Sequence, residues 1–155
     1  MSFPANLAPV ASACLTERRI PGGSPLIELA ATDGGGFPRN GLIQKLLPFY
    51  RLGYLSLKEI VEKCSVNPAE TFGLHQKGNL GIGADADITV LDMKRLDAAM
   101  SFAGGKRIMD HGRVTGSGGT FLTTKAGVKT AQEMQLNYQI ADTQRSALYG
   151  ERMAK

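Results

Sequence analysis

The segment from Leu26 to Pro38, which reads LIELAATDGGGFP, constrains the fold of this chain more than any other stretch. A mostly apolar run over residues 26–31 leads directly into Thr32 and Asp33, and three consecutive glycines follow. A short apolar run bounded by proline and glycine is typical of a strand that is buried on both faces. The sequence therefore predicts such a strand, with Asp33 at its carboxyl end.

Asp33 is the first candidate for a functional side chain. An acidic residue at a strand end can serve as a metal ligand or a general base, and α/β barrels carry their chemistry on the loops after the strands. Gly34, Gly35 and Gly36 have no Cβ, so their backbone can turn sharply and approach a substrate closely. The alternative is an ordinary loop aspartate, since Asp-Gly and Gly-Gly are common turn dipeptides.

The composition is that of one soluble globular domain. The 155 residues are enough to bury a core, and 43% hydrophobic with 21% charged residues is ordinary for this class. The net charge of +4 comes from short basic pairs such as Arg18-Arg19 and Lys106-Arg107, and no continuous basic stripe is present. We therefore expect solvated surface charge and no nucleic-acid partner.

The sequence contains no membrane or export signal. No apolar run approaches the roughly 20 residues that a bilayer span requires, and the amino terminus lacks the basic region and apolar core of a signal peptide. We expect a cytoplasmic protein without a membrane partner.

Four helices are predicted before residue 77. Apolar residues at helical spacing indicate a helix over 5–16 and a second one over Leu42 to Leu47, which Pro48 should end or kink. Ser56-Leu57-Lys58-Glu59 fits a capping box at the start of a third. A further helix start is predicted at Asn67, with Pro68 in the first helical position.

From Lys77 onward the composition favours strands and turns. The β-branched run Ile88–Leu91 predicts a strand, and Arg107 to Val114 predicts a hairpin that turns at Asp110-His111-Gly112. Phe121–Thr124 could close a small sheet. The polar tail, residues 125–155, has an uneven apolar stripe that predicts one long surface helix.

Residues with metal-binding chemistry are few in this sequence. Asp85 and Asp87 resemble a metal pair, but no histidine or cysteine is near them in sequence, so turn and capping roles are favoured. The histidines and cysteines belong to no HxH, HExxH or CxxC pattern, so catalytic or metal-binding roles are not favoured. We expect His75 at a helix end, His111 in an exposed turn, and Cys14 and Cys64 as buried free thiols.

The order of these motifs resembles the carboxyl-terminal third of the metal-dependent amidohydrolases, the group that contains dihydroorotases, hydantoinases, deacylases and isoaspartyl dipeptidases. The resemblance covers roughly residues 24–124. It is carried by Thr32-Asp33-Gly34, by NPAETFGL over 67–74, by Lys77-Gly78 and by GADADITVLD over 83–92. The acid followed by glycines looks closest to the isoaspartyl dipeptidase and deacylase branches.

The resemblance implies an α/β fold with three parts. Residues 1–76 would be the last strand-helix portion of a (β/α)8 barrel, residues 77–124 a small β-domain and residues 125–155 a helical tail. In such enzymes one or two divalent metals, often zinc, activate water that attacks an amide bond. Asp33 matches the aspartate that binds the metal and takes the proton from that water, and Gly34, Gly35 and Gly36 would line the substrate.

The chain departs from this pattern because the HxH motif and the other metal ligands belong to earlier strands. A closed barrel needs eight strand-helix units and about 250 residues. We therefore expect a fragment or a separately encoded subunit that is completed by a longer chain carrying HxH, in an oligomer that acts on small amides, or else a remnant with another use. The alternatives are a non-catalytic assembly subunit, which docks through the β-domain and the tail helix, and a basic nucleic-acid module.

Overall fold

The computed structural model describes residues 16–17, 23, 27–31, 41–116 and 119–146. The chain divides into two units, Met1–Cys64 and Ser65–Lys155. The described elements are helices and short strands, so the fold is of the mixed α/β kind. The helix predicted over 5–16 lies almost wholly outside the described residues.

The core of the first unit is formed around helix α1, Leu42–Arg51. Leu46 and Leu47 on this helix are buried together with Leu55 and Ile60. Of the two effects predicted for Pro48, an end or a kink of the helix, the first is wrong and the second stays a prediction. The helix continues to Arg51, and the Pro48 carbonyl accepts the amide of the C-cap residue at 3.0 Å. The single hydrogen bond that proline removes is offset by the burial of the two leucines before it.

Helix α2, Leu57–Val61, begins with the predicted capping box. The Glu59 amide donates to Ser56 Oγ at 3.2 Å, and the Ser56 amide donates to Glu59 Oε2 at 2.7 Å. These bonds satisfy two of the amides that a helix start leaves without partners. The prediction for this helix start is therefore confirmed.

A π-helical turn, Glu62–Val66, follows α2, and helix α3 runs over Asn67–Phe72. An α-helix begins at Asn67 with Pro68 in its first turn, as predicted. The predicted N-cap role of Asn67 is wrong, because the preceding Val66 is the cap residue and already has helical backbone angles, φ −66° and ψ −59°. Pro68, which has no N–H to donate, follows the wider π turn without a break. Gly73 ends α3 in the left-handed region at φ +66°, as its position after Phe72 predicts.

Residues 27–31 do not form the predicted strand. Ile27 and Leu29 are 39% and 37% exposed, so this segment is not buried on both faces. Apolar character alone does not make a strand, because the backbone groups also need a neighbouring strand to pair with. Among the described residues of the first unit there is no strand that pairs with them.

The second unit contains a four-stranded antiparallel sheet in the order β1-β2-β3-β4. Strand β1 and the β3–β4 hairpin agree with the sequence prediction. His111 and Gly112 at the hairpin turn both have positive φ, 44° and 83°, as a two-residue type I′ turn requires. Strand β2 was not predicted. The four strands are Ile88–Asp92, Asp97–Ala103, Lys106–Asp110 and Arg113–Val114.

The prediction of one long helix in the tail is wrong. A 3₁₀ turn, Lys125–Gly127, leads into the short helix α4, Val128–Glu133, and strand β6 follows at Tyr138–Ile140. Strand β6 pairs in parallel with β5, Phe121–Thr123, in a separate two-stranded sheet, so β5 does not close the four-stranded one. The apolar stripe is uneven because part of it serves a strand and not a helix.

The segment after β6 packs against the end of α3. Ser146 is buried, and its hydroxyl donates to the carbonyl of Thr71. Asp142 lies beside Gly73, where a Cβ atom would overlap the Asp142 carbonyl. A side chain at position 73 would therefore push the segment away, so glycine is required for the contact as well as for the left-handed backbone.

Candidate functional site

Asp33, Gly34, Gly35 and Gly36 lie outside the described residues. Their roles as metal ligand, general base and substrate contacts therefore stay predictions. The described segment nearest to them in sequence, residues 27–31, ends two positions before Asp33.

Lys63 in the π turn holds this segment at two points. Its backbone carbonyl accepts the amide of Ala30 at 3.1 Å, and its Nζ donates to the carbonyl of Ile27. The lysine is 2% exposed, which is rare for this residue type. A buried ammonium is costly unless it is hydrogen-bonded, so the bond to Ile27 helps to keep the side chain inside the fold.

Cys64 follows Lys63 in the chain and is a free thiol, as predicted, but it is half-buried and not fully buried. Burial raises the pKa of this thiol to about 11, and the positive charge of Lys63 acts in the opposite direction with a smaller effect. Because the thiolate is the reactive and metal-binding form, the raised pKa leaves Cys64 mainly as the less reactive thiol near neutral pH. Cys14 lies outside the described residues.

An ion-pair cluster lies in the loop before β1 and consists of Lys77, Asp85 and Asp87. Lys77 Nζ lies 2.8 Å from Asp85 Oδ2 and 2.5 Å from Asp87 Oδ2. The Gly104 amide, in the β2–β3 turn, donates to Asp87 Oδ1 at 2.8 Å. The Gly105 amide donates to the carbonyl of Ala86, which lies between the two aspartates in sequence, at 2.9 Å. The cluster therefore connects the loop before β1 to the β2–β3 turn.

The charges in this cluster stabilise one another. Hydrogen bonds to Asp85 and Asp87 raise the pKa of Lys77 above its ordinary value of 10.5. The Lys77 ammonium, and to a lesser extent the Gly104 amide, hold the pKa of Asp87 below its ordinary value of 3.8. Asp87 accepts an amide of the β2–β3 turn, which is a turn role as predicted, whereas the ion pairs of both aspartates with Lys77 were not predicted.

The described residues contain no complete metal-binding site. No group of three or more histidine, cysteine, aspartate or glutamate side chains lies close enough there to hold an ion. His75 follows α3 and lies 3.7 Å from the carboxylate of Asp142, and His111 lies 2.5 Å from that of Asp110 at the hairpin turn. The predicted exposed turn position of His111 is confirmed, whereas His75 lies beyond the helix that it was expected to end. The described residues alone therefore do not fit a resident metal.

Sequence reasoning missed the roles of Lys63 and of the Gly104 amide. Lys63 follows the buried Ile60 by three residues, which is helical spacing, and this was a readable signal for a lysine on the inner face of a helix. Gly104-Gly105 was a readable hairpin turn, and both residues have positive φ, 54° and 76°.

No described helix has the length and apolar character needed to cross a bilayer.

Comparison with known proteins identifies the class. The sequence profile described as "Amidohydrolase family" matches residues 30–119, which is more than half of the chain. The chain therefore belongs to the amidohydrolase family, in agreement with the resemblance that its motifs carry. The matched range includes Asp33 and the Lys77–Asp85–Asp87 cluster.

Individual relatives are dihydroorotases. The chain is 46% identical to that of Pyrococcus furiosus over 50 residues, covering 32% of this chain and 12% of the relative. It is 42% identical to that of Archaeoglobus fulgidus over 75 residues, 46% of this chain and 18% of the relative. The match to that of Geobacillus kaustophilus is 40% over 50 residues, 32% and 11% of the two chains. The chain thus spans under a fifth of the length of these relatives, and no solved structure matches it.

Proposed function

We infer that this chain is the carboxyl-terminal part of a metal-dependent hydrolase that acts on amide C–N bonds. The observation that carries this proposal is the match to the amidohydrolase family, which begins at residue 30 and so includes Asp33. The similar proteins are named for dihydroorotate, a compound whose ring contains amide bonds. A small amide is therefore the proposed class of substrate.

In this proposal Asp33 acts twice. Its carboxylate supplies one ligand to a divalent metal, with zinc as the first candidate, and it accepts the proton of the attacking water and passes it to the leaving nitrogen. The metal, when bound, polarises the amide carbonyl and lowers the pKa of water. Gly34, Gly35 and Gly36 present backbone amides to the substrate, since no side chain stands in the way.

The remaining ligands come from a partner in this proposal. The chain contains two histidines, His75 and His111, and each lies beside a carboxylate in the second unit. A longer chain that carries HxH would supply the missing ligands and complete the barrel around Asp33. The assembly is then an oligomer of at least two polypeptides in the cytoplasm.

The test is to restore a complete site. The chain is co-expressed with the amino-terminal portion of the Pyrococcus furiosus dihydroorotase that ends where its match to this chain begins. Hydrolysis of dihydroorotate and of a panel of small amides is measured with and without zinc. We expect zinc-dependent hydrolysis that Asp33→Asn lowers by about 100-fold or more, the usual effect of losing a general base.

Asp110→Asn is the matched control, because it makes the same chemical change at an exposed ion pair of the hairpin. Surface ion pairs contribute little, so its activity should equal that of the unmodified chain. Equal hydrolysis by the Asp33→Asn and unmodified complexes would refute the proposed role of Asp33. No hydrolysis by any complex, although the complexes form, would instead favour the second candidate.

The second candidate is a non-catalytic assembly subunit derived from an amidohydrolase. Large apolar side chains on the second unit favour it, since Leu80 is 79% and Phe121 58% exposed. Contiguous exposed apolar surface is typical of interaction sites, and Leu80 lies two positions from Ile82, which is fully exposed. With no long helix in the described part of the tail, docking would use the β-domain. This candidate predicts a complex that forms equally well without zinc and with Asp33→Asn, as measured by sedimentation.

A further inference from the structure

We propose that the outer edge of strand β6, the edge that faces away from β5, pairs with the same edge of a second copy of this chain. A two-fold axis at Gln139 would join two β5–β6 sheets into one sheet of four strands. The inference is independent of the proposed function, because residues 121–141 lie outside the range 30–119 that matches the amidohydrolase family.

The hydrogen bonds of the ladder show which groups of β6 face away from β5. The Ala141 amide donates to the Thr123 carbonyl at 2.8 Å, so residues 139 and 141 direct their backbone groups toward β5. The backbone groups of Tyr138 and Ile140 point to the opposite edge. No described strand pairs with that edge, since the sheet contains only β5 and β6.

The outer edge of β6 lacks the features that usually keep edge strands from pairing, which are charges, prolines and bulges. Strand β1 has a register shift after Val90 and ends at Asp92, and β4 has only two residues, one of them Arg113. In contrast, residues 134–141 contain no charge and no proline, and the register between β5 and β6 is regular. Among these edge strands, β6 is therefore the one best suited to pairing.

Apolar side chains favour the same edge. Phe121 lies opposite Tyr138 and Thr123 lies opposite Ile140, so the four side chains share one face of the sheet. Phe121 is 58% and Ile140 42% exposed. A two-stranded sheet is at best marginally stable by itself, whereas three or more strands with an apolar face can be stable. Further strands beside β6 would therefore stabilise this part of the chain.

The register of β6 makes a second copy a fitting partner. When two β6 strands lie antiparallel with Gln139 opposite Gln139 of the other copy, Tyr138 of each copy lies opposite Ile140 of the other. Both residues direct their N–H and C=O groups outward, so they can exchange both backbone hydrogen bonds. An aromatic residue beside a β-branched one is a favourable cross-strand pair, and no like charges meet. Such a self-complementary contact closes as a dimer.

Amide hydrogen exchange on the full, unmodified chain tests the edge directly. The strand has three residues, so the contact is small and we expect association at roughly micromolar to millimolar concentrations. The amides of Tyr138 and Ile140 should become at least about tenfold more protected as the concentration rises through this range. Those of Gln139 and Ala141 bond to β5 and should be protected at every concentration.

Two charge variants test the two-fold axis. Gln139→Lys and Gln139→Glu each place like charges side by side in a homodimer, so each should weaken the dimer by about tenfold or more in sedimentation equilibrium. An equimolar mixture should associate at least as tightly as the unmodified chain, because lysine then faces glutamate. Gln76→Lys and Gln76→Glu make the same changes at an exposed position outside the β5–β6 sheet and should leave the dimer unchanged.

Ile140→Pro tests the backbone bonds of the edge. It removes an N–H that points outward and leaves the Ala141 bond to β5 in place, so the dimer should be lost while the Ala141 amide stays protected. The exchange experiment on the unmodified chain decides the question if this variant does not fold.

Three kinds of result would overturn the inference. The first is a chain that sediments as a monomer over the whole concentration range. The second is exchange at Tyr138 and Ile140 that does not depend on concentration, whether it is fast throughout or slow because the same chain covers the edge. The third is a dimer that the Gln139 variants do not weaken, or a mixture of the two variants that associates no more tightly than either variant alone.

Discussion

Gly73 offers the sharpest test of how the second unit is packed. Replacing it with alanine adds a methyl group at φ +66°, which costs about 1–2 kcal/mol in the left-handed region. The same methyl group overlaps the Asp142 carbonyl oxygen and lies 3.0 Å from its carbon and 3.2 Å from its Cβ. Because backbone atoms cannot move aside as the end of a flexible side chain can, this overlap adds about 1–3 kcal/mol to the loss of folding stability.

Gly112→Ala is the matched control, since Gly112 has φ +83° and nothing lies within 4 Å of an added Cβ. It carries the cost of the left-handed backbone without the overlap. We therefore expect Gly73→Ala to lower the free energy of unfolding by about 1–3 kcal/mol more than Gly112→Ala. For a unit of this size the corresponding difference in Tm is at least about 4 °C.

Urea denaturation followed by circular dichroism measures both variants, and amide exchange at Ala141 shows whether the segment after β6 detaches first. Local detachment would appear as fast exchange at Ala141 with a smaller change in the global midpoint. Equal losses of stability for the two variants, with unchanged protection of Ala141, would refute the assignment of a close contact between Gly73 and Asp142.

Two further predictions concern ionisation. Because the pKa of Asp87 is lowered in the fold, its carboxylate stabilises the fold above the unfolded pKa of 3.8, and this stabilisation is lost as the pH falls through the folded pKa. Because the pKa of Lys77 is raised, its ammonium stabilises the fold below 10.5, and this stabilisation is lost as the pH rises through the folded pKa. Lys77→Met should therefore lower the denaturation midpoint between these two pH limits, and outside them its midpoint should approach that of the unmodified chain. A constant difference in denaturation midpoint at every pH would contradict this. In a Cys14→Ser background, the rate at which Cys64 reacts with iodoacetamide should be about 100-fold below that of a free thiol at pH 8 and rise up to pH about 11, because burial raises the pKa of this thiol from 9.0 to about 11. A rate that levels off near pH 8.5 would contradict the raised pKa of Cys64.

Local chemistry explains the predictions that succeeded. The capping box of Ser56 and Glu59 satisfies amides within one turn, so nothing distant is needed to start α2. Gly73 and the His111-Gly112 turn require positive φ, which few residues other than glycine adopt easily. The β-branched run of β1 and the family motifs could be read in the same way, from neighbouring residues alone.

Long-range contacts decided the elements that were missed. Strand β2 contains Ala98, Ala99 and Met100, which are better helix formers than strand formers, yet it pairs with both β1 and β3. In the tail, the chain leaves α4 after Glu133 because Gln135 takes a positive φ of 53°, and β6 then pairs with β5. Neither partner is visible from the periodicity of the segment itself.

The sequence by itself determined the family, the helix cap at Ser56, the hairpin turns and the candidacy of Asp33, because these depend on residue types at fixed short spacings. Only the tertiary structure decided that residues 27–31 form no strand among the described residues and that a buried Lys63 holds them. Burial and backbone pairing arise from contacts between residues far apart in the chain. The free energy of the Lys63 ammonium depends on the carbonyl that reaches it in the fold.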